Sequence, residues 1–204
     1  MSKSRPLYSK NRTWGVTVEF SSRKLKLTKT WVTSLAVLVL EAVDSEVLLP
    51  FVNELSIHII GDKEIAALNK THRGKSKPTD VLSFPNFEPK EVRGKRRVLD
   101  TFQPSLGDVV ISADTTIAQS VEFKVTPQEE FVRLVVHGIL HLCGYDHERV
   151  PPSEAQKMRR KEQKLRSLVS DALKIRANLL NKKRGNSPLN KRTNPSSKRI
   201  LDKR

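Results

Sequence analysis

Three histidines fall within eleven residues, His137, His141 and His147, in the segment His137-Gly138-Ile139-Leu140-His141-Leu142-Cys143-Gly144-Tyr145-Asp146-His147. Residues four apart lie about one turn apart on the same face of a helix, so His137 and His141 can point at one ion. His147 does not share that face by periodicity, but Gly144 offers a helix stop after which the chain can fold back and present a third imidazole. Three protein ligands on a tetrahedral ion leave one position for water, the arrangement of catalytic rather than structural zinc. Zinc suits this imidazole set best, although cobalt, nickel, copper or iron would also bind it.

Ligands at positions one, five and eleven, with a glycine at eight, have the spacing of the long zinc-peptidase signature H-E-x-x-H-x-x-G-x-x-H. Position two is Gly138 here, so the glutamate that would act as general base is missing and peptide hydrolysis by that mechanism is disfavoured. The blander alternatives are ordinary helix histidines with satisfied ring nitrogens, or an ion that merely staples the fold. Cys143 stands two residues after His141, off the ligand face, and reads as a buried apolar neighbour.

The helix that must carry His137 and His141 is the strongest local expectation. Thr126 is its N-cap, Pro127 its first residue and Glu129 the third, a capping-box pattern. Phe131, Leu134, Val135, Gly138, Ile139 and Leu142 give it a core-facing surface, so the ligands ride on a rigid element. Upstream, alternation predicts a strand over Gly15 to Phe20, and an apolar stretch with helical spacing covers about Thr28 to Val43. Glu54 to Ile60 reads as a strand, and Asp62 caps a short helix to about His72. Short strands follow at Thr79 to Pro85 and Leu106 to Ser112, then a modest helix from Ser112 or Asp114 to about Gln119. After Pro151-Pro152-Ser153 a long helix covers about Glu154 to Leu179. Between the two short strands, Glu88 to Pro104 reads as an exposed loop or hairpin containing Lys95-Arg96-Arg97. The class is α+β, three-layer α/β/α-like, with a central mixed sheet of about four strands. Residues 1–180 form one domain, and residues 181–204 a basic, disordered tail.

With 204 residues the chain can build one domain with a real core. A single cysteine excludes an internal disulfide and suits a reducing compartment. The sequence has no apolar run of 18 residues and no signal-peptide core, so the expectation is a cytoplasmic enzyme without a membrane partner. The formal net charge is +16, of which residues 181–204 supply half through nine Lys or Arg and one Asp. Both parts are basic, which favours a polyanionic partner and hence nucleic acid over peptide.

Taken together, several segments resemble the YbeY family of bacterial endoribonucleases. They are Asn69 to Arg73, Pro78-Thr79-Asp80-Val81-Leu82-Ser83-Phe84-Pro85, Leu106-Gly107-Asp108 with Ile111-Ser112, and His137 through His147. Glu154, Met158 and Glu162 resemble the pattern that follows the third histidine in that family. The resemblance runs from about Val16 to Leu179. It implies a single-strand-specific endoribonuclease in ribosomal RNA maturation, notably at the 3′ end of the 16S RNA, and in ribosome quality control, with the small subunit as partner. It also implies one Zn2+ held by His137, His141 and His147, and a basic catalytic residue at Arg73. The family lacks a glutamate after the first histidine, so Gly138 agrees with it.

For cleavage of a phosphodiester, Arg73 can bind the scissile phosphate through paired donors and stabilise its growing charge. Lys75 and Lys77 track the RNA backbone, and Lys95, Arg96 and Arg97 reach toward phosphates or form a solvated face. Asp80, Asp108 and Asp146 are candidates to orient Arg73 or hold a histidine tautomer from behind the ligands. Two other readings stand beside the nuclease. One is a non-catalytic ribosome-assembly or RNA-binding factor with a structural metal, and the other is a metallopeptidase-like hydrolase.

Overall fold

In the computed structural model of the chain, residues 13–47, 52–87, 105–148 and 150–185 are described. In chain order they form β1 (Gly15–Phe20), α1 (Lys29–Val47), β2 (Glu54–Ile60), α2 (Asp62–Arg73), β3 (Val81–Pro85), β4 (Ser105–Ser112), α3 (Ala113–Glu122), α4 (Pro127–Leu142) and α5 (Pro152–Gly185). The sheet order is β1-β2-β4-β3, with β1, β2 and β4 parallel and β3 antiparallel to β4. This is the expected α+β fold with a mixed four-stranded sheet. The loop carrying Lys95, Arg96 and Arg97 lies outside the described residues.

Successive strand residues point to opposite faces, and β4 sorts the helices accordingly. Val109 faces α4, where it lies against Gly138, while Val110 packs with Ile65 of α2 and with Ile60 and Leu82. Helix α1 meets α4 through Trp31 and Phe131, whose ring centroids are 6.1 Å apart. The sheet is thus covered by α1 and α4 on one face and by α2 on the other. Phe131, Leu134, Val135, Ile139, Leu140 and Leu142 of α4 are all buried. At about 1.5–3 kcal/mol per large apolar side chain, their burial far outweighs the intrinsic helix propensity of the segment, so α4 is held by packing.

Local expectations met the structure with instructive differences. The Thr126–Glu129 capping box forms as read: Glu129 N–H donates to Thr126 Oγ1, and Thr126 N–H donates to the Glu129 carboxylate. For α2 the N-cap is Gly61 rather than Asp62, and the Glu64 carboxylate accepts the Gly61 N–H. Asp62 is drawn away because it accepts the hydroxyls of Ser112 and Thr115, tying α2 to the start of α3. Thr79 and Asp80 precede β3 instead of joining it. Helix α5 continues to Gly185, past Leu179, through a Leu-, Lys- and Arg-rich segment of good helix formers. By compactness the chain divides into residues 1–169 and 170–204, and the sheet with its covering helices belongs to the first unit.

Gly107 determines how closely β3 can lie against β4. The β2–β4 register gains one residue on β4 between Ser105 and Asp108, a bulge, and Gly107 within it has φ 136°. A Cβ at that position would sit 2.2 Å from the backbone oxygen of Phe84 and 3.1 Å from Pro85 Cα. Backbone on both sides leaves nothing to rotate away. Gly107→Ala is expected to lose about 3 kcal/mol or more, lowering Tm by about 6–12 °C. A thermal melt within 2 °C of the parent would contradict this account of the bulge.

Candidate metal centre and its cleft

His137 and His141 project from one face of α4, and the end of that helix delivers His147. Cys143 closes the helix and Gly144 takes a left-handed φ of 74°. Gly144 N–H donates to His141 C=O at 2.9 Å and Tyr145 N–H to Leu140 C=O at 3.0 Å, the paired bonds of a Schellman motif. The Asp146 carboxylate then accepts the backbone N–H groups of His147 and Glu148, at 2.7 and 2.9 Å. The reversal brings the His147 ring centroid to 5.0 Å from that of His137 and 5.2 Å from that of His141. One ligand nitrogen from each of the three lies within 4.8 Å of the others.

The donor set fits a tetrahedral ion. Two nitrogens each about 2.05 Å from zinc at a tetrahedral angle are about 3.3 Å apart, and His137 Nε2 and His141 Nε2 are 3.1 Å apart. His147 Nδ1 is buried without a hydrogen-bond partner, a cost that an ion or water at this centre would relieve. The His141 imidazole is pushed down to about 4, first by burial and then by the charges of His137 and His147, which keeps this ring unprotonated. Its lone pair is therefore free for coordination at neutral pH.

Behind His137, Glu162 of α5 places Oε2 3.2 Å from Nδ1. Burial would raise the Glu162 carboxyl, but His137 and the guanidinium groups of Arg133 and Arg166 outweigh it and lower its pKa. An ionised carboxylate can only accept, so Nδ1 carries the proton and leaves the Nε2 lone pair toward His141. Glu162 belongs to the segment resembling the YbeY pattern, yet its partner was not legible there. The available signal was its place in the buried stripe Ala155, Met158, Leu165 and Val169, where a carboxylate needs a reason. Glu162→Gln is expected to weaken zinc affinity by about 10- to 100-fold in chelator competition. Unaltered affinity would remove Glu162 from the site.

The histidines open into a cleft of about 640 Å³ that wraps the outer edge of β3. Arg73, from the last turn of α2, lines the same cleft and donates from Nη2 to Glu148 Oε2 at 2.6 Å. Sequence reading missed Glu148, whose only signal was an acidic side chain directly after the third ligand. Asp80 also lines the cleft, but its carboxylate takes Arg133 at 3.1 Å and Gln119 at 3.3 Å rather than a histidine. Burial opposes the ionised form of Asp80, and Arg133, Val81 N–H and Gln119 together still hold its pKa low. Arg133 is in turn gripped by buried Glu130. One turn before His137, Arg133 was detectable by its shared face with the ligands.

Three candidates lie apart from this centre. Asp108 points to the opposite sheet face from Val109 and pairs with His58 at 3.2 Å, so it does not reach the imidazoles. Lys75 and Lys77 are exposed beyond α2 and do not line the cleft. Gly138 also has a positional reason beyond the absent glutamate. A Cβ there would stand 2.6 Å from Val109 Cγ1, so position 138 faces the sheet and has no room for a larger side chain.

Residues 17–170 match the family described as Endoribonuclease YbeY. The Aquifex aeolicus protein named Endoribonuclease YbeY is 49% identical over 120 residues, covering 59% of this chain and 73% of that protein. The Myxococcus xanthus protein of the same name is 44% identical over 128 residues, covering 61% of this chain but 40% of the longer relative. A Thermotoga maritima protein known from a solution structure is similar with TM-score 0.53 and 26% identity, over 87% of this chain and 99% of that one.

Proposed function

This chain belongs to the endoribonuclease YbeY family, and from that premise we propose that it cleaves single-stranded RNA at a zinc site held by His137, His141 and His147. The observation that carries the reading is the meeting of three clustered imidazoles and the Arg73 guanidinium in one cleft. The net charge of +16 supports a polyanionic substrate. The cellular role proposed is ribosomal RNA maturation in the cytoplasm, at the 16S 3′ end and in quality control of the small subunit. Among the described residues no helix is long and apolar enough to cross a membrane.

Zinc bound here would polarise a phosphate oxygen and lower the pKa of a water ligand. Arg73 binds the scissile phosphate after exchanging its Glu148 partner for a phosphate oxygen, and its paired donors stabilise the charge gained on cleavage. Glu162 holds His137 in the tautomer that faces the ion. Asp146 shapes the turn that presents His147, while Asp80 with Arg133 and Gln119 braces the wall between β3 and α4. Lys75 and Lys77 attract the RNA backbone outside the cleft, and Lys95, Arg96 and Arg97 add positive charge for the same polyanion. Residues 1–180 form the catalytic domain in this reading, with the basic segment beyond as a phosphate-attracting extension.

The test incubates the purified full chain with single-stranded RNA and with DNA of matched sequence, before and after chelation and after zinc is restored. Cleavage of RNA alone, lost on chelation and regained with zinc, is expected. RNA binding without cleavage under every metal condition would instead favour an assembly factor with a structural ion. A single 2′-deoxy nucleotide at the cleaved bond then separates two routes: attack by the 2′ hydroxyl stops at that bond, whereas attack by water continues.

A further inference from the structure

The cleft has two unlike ends. The imidazoles lie on the α4 side of β3, and Phe84 and His72 lie on the α2 side. Phe84 is half-buried: it packs against the cluster of Ile60, Ile65, Leu82 and Val110, and it also lines the cleft. His72, exposed in the last turn of α2, stands edge-on to it with ring centroids 4.8 Å apart and planes at 65°. Arg73 lines the same cleft as His72 and Phe84, so a strand whose phosphate is held by its guanidinium passes these rings within one cavity. Much of the rest of the cleft consists of groups that recognise phosphate or an ion. Phe84 offers a bound strand only its apolar ring, which matches the π-face of a nucleobase, and His72 sets a second flat ring against it.

We propose that His72 and Phe84 form a nucleobase-stacking subsite beside the scissile phosphate. This inference rests on the nuclease reading above and assigns the cleft a selectivity of its own. A base can lie on these rings only after leaving its neighbours in the strand. A duplex base is held by pairing and stacking and cannot do so cheaply, whereas a single-stranded base can. Phe84 is fixed from beneath by the core, so little ordering is needed when a base arrives. His72 supplies the outer wall and can be altered without opening the core.

The experiment uses the full zinc-loaded chain and a single-stranded RNA oligonucleotide with one cleavage site, together with a series in which an abasic residue is moved one position at a time. The parent protein should show an increase in KM of about 10-fold when the abasic residue flanks the cleaved bond, with much smaller effects elsewhere. His72→Ala should raise KM for intact RNA and largely erase the penalty of the flanking abasic residue, whereas His72→Phe should retain both affinity and penalty. Phe84→Leu should behave as His72→Ala, and the surface substitution keeps the test decisive if this core variant folds poorly. An abasic penalty of equal size in the parent and in His72→Ala would overturn the subsite. If no RNA is cleaved, the nuclease reading fails separately, and the same series read by fluorescence anisotropy still decides whether these rings hold a base.

Discussion

Replacing His137 and His141 together with alanine should abolish stoichiometric zinc binding and lower RNA cleavage by about 10²- to 10⁴-fold, the range expected when several kcal/mol of electrophilic stabilisation are lost. Both side chains leave one turn of α4, whose hold on the fold comes from buried Phe131, Leu134, Val135, Ile139 and Leu140. Alanine is also the best helix former, so the metal-free variant should remain folded. Metal content, a thermal melt compared with the chelated parent, and single-turnover cleavage of RNA read the three consequences independently. A folded, zinc-free variant that cleaves at the parental rate would remove the centre from catalysis. Loss of cleavage accompanied by collapse of the melt would assign the ion a structural role instead.

Arg73→Ala should reduce kcat/KM for RNA by about 10²- to 10³-fold, the usual effect of deleting one donor aimed at charge in a transition state. Arg73→Lys should recover only part of this loss because an ammonium lacks the paired geometry of a guanidinium. The structure adds a second, opposite expectation. Glu148 holds Arg73 at 2.6 Å, and the two side chains are 52% and 39% exposed. An ion pair this open to solvent is worth about 0.2–1 kcal/mol, so substrate can displace it. Removing the competing carboxylate with Glu148→Gln should tighten RNA binding by about 2- to 5-fold at low salt. The gain should vanish when Arg73 is already alanine. Tighter binding in that background would mean that Glu148 repels RNA generally rather than through Arg73, and weaker binding in the single variant would show that Glu148 itself supports substrate.

The sheet places these side chains where neither spacing nor charge pattern could. Asp80 and Asp108 stand in similar sequence settings, each near the start of a short strand as read from the sequence, yet one lines the cleft and the other faces away. The difference follows from the order β1-β2-β4-β3, which leaves β3 at the edge and turns Asp108 toward His58. Gly107 and Gly138 likewise read as members of motifs. Their physical necessity appears only when Phe84 and Val109 are seen to occupy the space a side chain would need.

By itself the sequence determined what depends on neighbours along the chain. Those features are the α4 capping box, the shared face of His137 and His141, the stop at Gly144, and the two strands read with the observed bounds, Gly15–Phe20 and Glu54–Ile60. Such features arise from backbone geometry over a few residues and are written in residue type and spacing. Only the tertiary structure decided that Glu162 stands behind His137, that Arg133 is shared by Glu130 and Asp80, and that Glu148 occupies Arg73. Except for Glu130, these partners lie 25 to 75 residues apart. Their meeting is set by strand order and by which helix face packs on the sheet, and it is selected by burial of the whole core rather than by any local pattern.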